Sequence, residues 1–420
     1  MPTRDLYVAV WQRSGGAAWA ARHGLTSEAY QTTFDQMTQQ GFRPKLVSGY
    51  SLNGRDFYAA LWEKTSGPAW AARHGLTSQA YQATFDQMTQ QGFRPTCVSG
   101  YELGGRDHYA AIWENSPGPA WAARHGLNSD GHQALFSQQL SPQGYRPVWI
   151  DCYAVGGQDR YASIWVKAAG PAWVARHRLK EAEFDAVSTD LAGQGYHLRC
   201  ARACTVGGQD LYAALWEKLP DAVPVAHHAM TSEAYQLLFE QLPAQGYRPA
   251  FLAGYAGEQP DSAVLRFTMQ RQQQSNWCWA ATSTSIALFY DPNSGWTQCA
   301  VANGQLGRND CCGTGASTVC NVYGFLDDAL QRTGHFVSIE GGSVSANTIM
   351  EQMLQRRPLG IRVAWSGGGA HFITATGRQG EDLVFVSDCG SGSTSIVPYE
   401  TLRTRYSGSG SWTHTYYTKP

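Results

Sequence analysis

The stretch "DFYAALWEK", residues 56–64, alternates large and small side chains with a period of two and carries three aromatic rings. That is the pattern of a half-buried strand. It returns along the chain: Trp11, Trp62, Trp113, Trp165 and Trp216 recur at spacings of 51, 51, 52 and 51. Asp5, Asp56, Asp107, Asp159 and Asp210 keep the same steps, as do Tyr7, Tyr58, Tyr109, Tyr161 and Tyr212. A fixed period of this kind marks a tandem array before it marks any single site, and the array has five units.

One unit reads outward from that strand. "GPAWAARHG", residues 67–75, has Pro68 near a start and Gly75 at a stop, which predicts a short helix. "TSQAYQATFDQMTQQGF" (77–93) predicts a second helix, capped by Thr77 or Ser78 and ended by Gly92, with Tyr81, Phe85 and Met88 on one face. "RPTCVSGYELGGRD" (94–107) predicts a strand and a turn into the next unit's strand, a hairpin at every repeat junction. One hairpin and two helices cannot enclose a core alone, so the expected array is a curved antiparallel sheet of stacked units with helices on one side, an α+β fold. The fifth unit has "PVAHHAM" (224–230) where others have "PAWAARHG", the mark of a terminal cap. The repeated histidines (His23, His74, His125, His177, His228) and tryptophans are read as packing devices made five times over, ahead of metal ligands or a sugar-binding stripe.

The array resembles bacterial tandem-repeat modules of about fifty residues that sit beside hydrolase domains, β-lactamase-like ones included. The likeness rests on the xYxAxW strand, the "PAWAARHGL" segment and the "QGFRP" ending, and implies an accessory role, with a surface ligand as its possible partner. Periodicity stops after "LRFTMQ" (265–270), read as a closing strand of the array, and Gly, Ser and Cys then rise. The expected domains are therefore 1–262 and 263–420.

Composition bounds the partners. With 32 basic against 33 acidic residues, a net charge of -1 leaves no basic stripe for phosphates, so nucleic acid is not expected. No apolar run approaches the roughly 20 residues of a bilayer span. The chain opens into a strand pattern with no signal peptide visible. Five of the ten cysteines (Cys299, Cys311, Cys312, Cys320, Cys389) crowd the last third, which points to an oxidising, secreted or otherwise delivered destination. At least one disulfide is expected among them and none at Cys278; adjacent Cys311 and Cys312 should take different partners. No CxxC pair exists, and neither a metal nor another cofactor is expected.

"QQQSNWCWAATS", residues 272–283, places Cys278 between two tryptophans at the start of a helical pattern that runs on through Ile286, Phe289 and Tyr290. There the unsatisfied N–H groups and the positive end of the helix dipole favour an anionic sulfur, hence a nucleophile. In "SGGGAHFITATGRQGEDLVFVSDCG" (366–390), His371 opens one apolar strand and Asp388 ends the next, so antiparallel pairing makes them neighbours. Nucleophile, base and orienter follow in that order. His335 is a rival base, but no acid stands at a matching strand end.

"QQQSNWCWAA", "GGAHFITATG" and "VFVSD" together resemble the papain-like cysteine peptidases, particularly their compact bacterial branch, over residues 264–420. The resemblance implies a papain-like α+β catalytic domain, Cys278 as nucleophile, His371 as base, Asp388 as orienter and Gln272, six before the cysteine, as oxyanion donor. Trp279 also matches. Two departures stand out: Gln270, Gln273 and Gln274 crowd the oxyanion position, and aspartate stands where papain itself has asparagine. The implied function is peptide-bond hydrolysis on a protein or peptide substrate that the array binds or positions, since no Gly/Ser-rich or Pro-rich spacer separates the two parts. The alternatives are a cell-wall peptide amidase or transpeptidase, and a non-catalytic binding protein with an inert papain-like domain.

Overall fold

The computed structural model describes residues 3–219, 224–258, 262–380 and 383–420. They form two compact units, Met1–Gln259 and Pro260–Pro420.

The first unit contains five three-stranded antiparallel sheets, each with a helix. The second blade is typical: strand Trp70–Thr77, helix Ser78–Gln90, then strands Arg94–Leu103 and Arg106–Glu114 joined at Gly104 and Gly105. The helix follows its sequence signals. Thr77 Oγ1 accepts from Ala80 N at 3.3 Å, Tyr81 and Met88 are buried, and Gly92 takes the left-handed conformation that lets the chain leave. Gly104 and Gly105 both have positive φ, as a tight hairpin turn requires.

The "GPAWAARHG" segment corrects the expectation. Trp70–Thr77 is an edge strand, not a helix, so each unit has three strands and one helix. Its alanines favour a helix in isolation, but pairing with Arg106–Glu114 decides the outcome. Gly75 (φ +67°) is the glycine of a β-bulge, where the register shifts between Arg73 and Leu76, and not a helix stop. Arg178 and Ala229 take the same left-handed conformation in the fourth and fifth blades.

The sheets do not merge into one curved sheet, and the array has no terminal cap. The strand Thr3–Arg13 lies in the middle of the last sheet, between Val225–Thr231 and Tyr247–Glu258. The inner strands Arg43–Leu52, Arg94–Leu103, Arg146–Val155, Tyr196–Val206 and Tyr247–Glu258 each pack beside the next, and the last packs beside the first. The array is thus a closed ring.

The periodic residues are its joints. Tyr58 donates to Asp56 (2.8 Å) and so accepts from Tyr101 (2.6 Å), and Tyr7, Tyr109 and Tyr212 make the same cross-blade contact with Tyr50, Tyr153 and Tyr255. His74 lies edge-on to Tyr30 and Tyr58, and burial pushes its imidazole below the ordinary value, as for His23, His125 and His177. At the inner strands, Gly49 N–H donates to Ser99 Oγ, Gly100 N–H to Asp151 Oδ2, and Gly254 N–H to Ser48 Oγ. Arg202 closes this circuit, paired with Asp151 at 3.0 Å and bonded to Ser48.

The second unit is a seven-stranded sheet with helices packed on it. Its central strand Ala370–Gln379 lies between Leu359–Trp365 and Leu383–Asp388, and Ser262–Val264 adds to it. Helix Cys278–Tyr290 packs on that strand and on helix Leu326–Thr333, its first ten residues buried. Residues 265–270, read as a closing strand of the array, instead carry Leu265, Phe267 and Met269 into this unit's core. Among the described residues no helix is long and apolar enough to cross a membrane.

Ring closure makes the first strand as important to stability as any other, which a capped stack would not. Trp11→Ala and Trp113→Ala should each cost ~3–5 kcal/mol, the range for deleting a fully buried tryptophan, since both are 0% exposed. Denaturant titrations compare them; a loss at Trp11 under half that at Trp113 would mean the ring is open.

Candidate active site

Cys278 is the first residue of its helix, and it is buried. The two flanking tryptophans explain how its position is held. Trp277 Nε1 donates to Cys320 O at 2.7 Å and Trp279 Nε1 to Val322 O at 3.2 Å. Between those carbonyls, Asn321 accepts from Asn276 N at 2.9 Å and its own carbonyl accepts from Asn276 Nδ2 at 2.8 Å. Gly315 and Gly324 are needed here, since a Cβ at either would stand 3.1 Å from the Trp277 ring or 2.5 Å from the Trp279 ring. The segment carrying these groups is tied by two cysteine pairs at disulfide distance, Cys299–Cys312 and Cys311–Cys320, so the adjacent cysteines do take different partners.

His371 and Asp388 meet as the antiparallel register of their strands requires, with Nε2 2.7 Å from Oδ1. The His371 ring stacks near-parallel on Trp365, 6.3 Å between centroids, and Cys278 is among the groups that raise its basicity. Asp388 is held at both oxygens. Gly390 N–H donates to Oδ1 at 2.7 Å, and Tyr406 O–H donates to Oδ2 at 2.8 Å. Burial alone would push the imidazole down and the carboxyl up. The mutual contact outweighs it on both sides: with Cys278 and Cys389 adding to the Asp388 effect, His371 is pushed up to about 12, and Asp388 is held below its usual range.

Gln272 is next to this group. Its N–H donates to Cys389 O at 2.8 Å, and its Oε1 accepts from Cys389 Sγ at 3.6 Å. Its Nε2 donates to Gln274 O and Ser275 O at 3.0 and 2.8 Å, so serving an oxyanion requires it to give up one of those carbonyls. Gln270 Oε1 accepts from Gln298 Nε2, and the backbone N–H of Gln273 donates to Gln298 Oε1. His335 bonds Lys419 O and stacks on Tyr290, and no hydrogen bond joins it to Cys278 among the described residues.

Three participants carried no signal in the sequence. Tyr406 stands in no motif, Trp365 is one of 15 tryptophans, and the Cys320–Val322 carbonyls act through backbone. Cys389 was read only as a disulfide candidate; it is a free, buried thiol whose Sγ lies 3.9 Å from His371 Nε2. His371, Asp388 and Cys389 offer three donor atoms within 4.8 Å of one another, already bonded among themselves.

A cysteine at the start of a helix packed against an antiparallel sheet, with a histidine and an aspartate bonded to each other on neighbouring strands of that sheet, is the arrangement expected of the papain-like class. A family model described as "papain-like cysteine protease AvrRpt2" matches residues 261–397, and this unit is a thiol-dependent hydrolase domain of that kind. A second model, "polyglycine hydrolase-like, structural repeat", matches five times, at 16–65, 67–116, 118–168, 170–219 and 223–269. The chain belongs to that repeat family, with the peptidase domain following the repeats. No curated protein matches it.

The His371–Asp388 pair has a definite pH signature. The raised imidazole contributes fully below its ordinary 6.5 and loses that contribution as pH rises towards about 12; the lowered carboxyl contributes fully above its ordinary 3.8 and loses it in stronger acid. The wild type's advantage in thermal midpoint over Asp388→Asn should therefore be greatest between about pH 3.8 and 6.5 and shrink on both sides. A pH-independent difference would mean that the two groups do not form an ion pair.

Proposed function

We propose that the chain is a cysteine peptidase in which Cys278, His371 and Asp388 act together and Gln272 helps to stabilise the oxyanion. The carrying observation is that the His371 imidazole, whose basicity Cys278 helps to raise, lies 2.7 Å from the Asp388 carboxylate. With Nε2 committed to Asp388, Nδ1 takes the thiol proton. The imidazolium is favoured because the same contacts raise the basicity of the ring. The sulfur then attacks the acyl carbon, and the oxyanion meets the Cys278 N–H, free at the helix start, and the Gln272 amide once it leaves one of its carbonyls. His371 returns the proton to the leaving amine, and water releases the acyl-enzyme.

The repeat ring serves this reaction as the substrate-binding part. The warrant is in the sequence, where no flexible spacer lies between the array and Gln272. The two cysteine pairs favour an oxidising destination outside the cytoplasm. Because the repeat family is named after a polyglycine hydrolase, glycine-rich peptides are the first substrates to profile. An amidase or transpeptidase acting on cell-wall peptides would use the same residues with a different acceptor, and product analysis separates the two.

Cys278→Ala and His371→Ala should each abolish hydrolysis with the fold retained, and Asp388→Ala should leave a residue of activity. Normal turnover with unchanged product masses in Cys278→Ala would sink the assignment. Gln272→Ala should lower kcat by about 10²-fold or more, the usual scale for one oxyanion donor. A larger loss at Gln274→Ala would move the donor. A chain beginning near residue 262 that cleaves small peptides and a macromolecular substrate with full efficiency would remove the role given to the ring.

A further inference from the structure

Four of the five inner strands carry a tyrosine at one shared position, Tyr50, Tyr101, Tyr153 and Tyr255, while the fourth blade carries Cys204. Each tyrosine lies over the residue one place earlier on the preceding blade. Under Tyr101, Tyr153 and Tyr50 that residue is glycine, and necessarily so. A Cβ at Gly49 would stand 2.6 Å from the Tyr101 ring, one at Gly100 2.3 Å from the Tyr153 ring, and one at Gly254 2.4 Å from the Tyr50 ring. Tyr255 has Ala203 beneath it. Beneath Cys204 is Cys152. At one junction of the five, both halves of a glycine–tyrosine contact have become cysteine.

Cys152 Sγ lies 3.5 Å from Arg202 O and 3.6 Å from Leu211 O, and Leu211 is the cross-strand partner of Cys204. Where a tyrosine occupies the position of Cys204, its ring carbons reach the β-carbon position of the residue below, so two cysteines there face each other across one side-chain width. A disulfide spans a similar gap, with β-carbons roughly 3.5–4.5 Å apart. Both residues are buried and line a cavity of about 300 Å³ bordered by all five inner strands.

We propose that Cys152 and Cys204 form a disulfide that staples the third blade to the fourth when the protein is in an oxidising compartment. With glutathione disulfide as oxidant, one cysteine loses its proton and attacks a sulfur of the oxidant, expelling one glutathione thiolate and forming a mixed disulfide. The second cysteine, deprotonated in turn, attacks the protein sulfur of that intermediate and expels the second glutathione. Two protein thiols lose two protons and two electrons, and one glutathione disulfide becomes two glutathione molecules.

The test uses the full chain, equilibrated in an oxidising glutathione buffer, then unfolded in iodoacetamide without reduction, digested and weighed. The expected result is a peptide pair joined through Cys152 and Cys204, with the buried ring cysteines Cys97 and Cys200 fully alkylated as internal controls. Full alkylation of Cys152 and Cys204, or their joining to other cysteines, overturns the proposal. Packing is tested separately by restoring the pattern of the other junctions. Cys204→Tyr alone should lower the thermal midpoint by clashing with Cys152, and adding Cys152→Gly should recover it while abolishing the joined peptide. A Cys204→Tyr single variant as stable as wild type would also count against the proposal, because the two positions would then not be in contact.

Discussion

A three-stranded sheet carrying one helix buries one face and leaves the other, with both edges, to find a partner. Everything in the first unit follows from how that need is met. An open stack would leave two unpaired ends, whereas the strand Thr3–Arg13, inserted between the two strands of the last sheet, leaves none. The strand that completes the fifth blade comes from the opposite end of the array, so the ring closes only after the last repeat has been made. The pairing of Thr3–Arg13 with Tyr247–Glu258 joins residues at opposite ends of the array, which slows folding. The tyrosine, histidine and aspartate of each unit then serve the neighbour more than the unit itself, which is why they recur so strictly.

The second unit solves a different problem: holding one thiol still at the start of a helix. A helix N-terminus frays unless something caps it, and Trp277 provides no side-chain cap. The indole N–H groups on both sides of Cys278 are instead anchored to the carbonyls of Cys320 and Val322, in a segment tied by two cysteine pairs. Flanking a thiol with tryptophans therefore gives it two wide, rigid supports whose polar ends fix their rotation. On the other side, Asp388 is held by Gly390 and Tyr406, so the imidazole bonded to it has little freedom to turn away.

The sequence was legible where local chemistry and final structure agree. Thr77 with Tyr81 and Met88 describes a helix, Gly104–Gly105 a hairpin turn, and His371 with Asp388 two ends of paired strands, and all are found so. It misled where pairing overrides propensity: alanines and a glycine at 69–75 suggest a helix, yet the edge of a waiting strand takes the segment. Ring closure was invisible for a related reason, since the first strand differs little from its copies and only its partner changes. Tyr406 was out of reach as well, because it meets Asp388 through tertiary folding and stands in no spaced motif.

A ring of near-copies carries a hazard that a heterogeneous fold does not, because neighbouring blades can pair out of order at little cost. The departures from the repeat pattern bear on this, and they come in pairs one blade apart. Ser48 and Ser99 have Asp151 and Arg202 as their counterparts in the third and fourth blades, ion-paired at 3.0 Å with both side chains buried. Burial pushes Asp151 up to about 6 even with the guanidinium beside it, so the pair gains little over two serines in stability terms. Its effect lies in what it forbids. Any arrangement that sets the third blade beside a blade other than the fourth strands a buried charge, at ~3–5 kcal/mol. Identical units make the ring possible, and the paired departures give its blades an order.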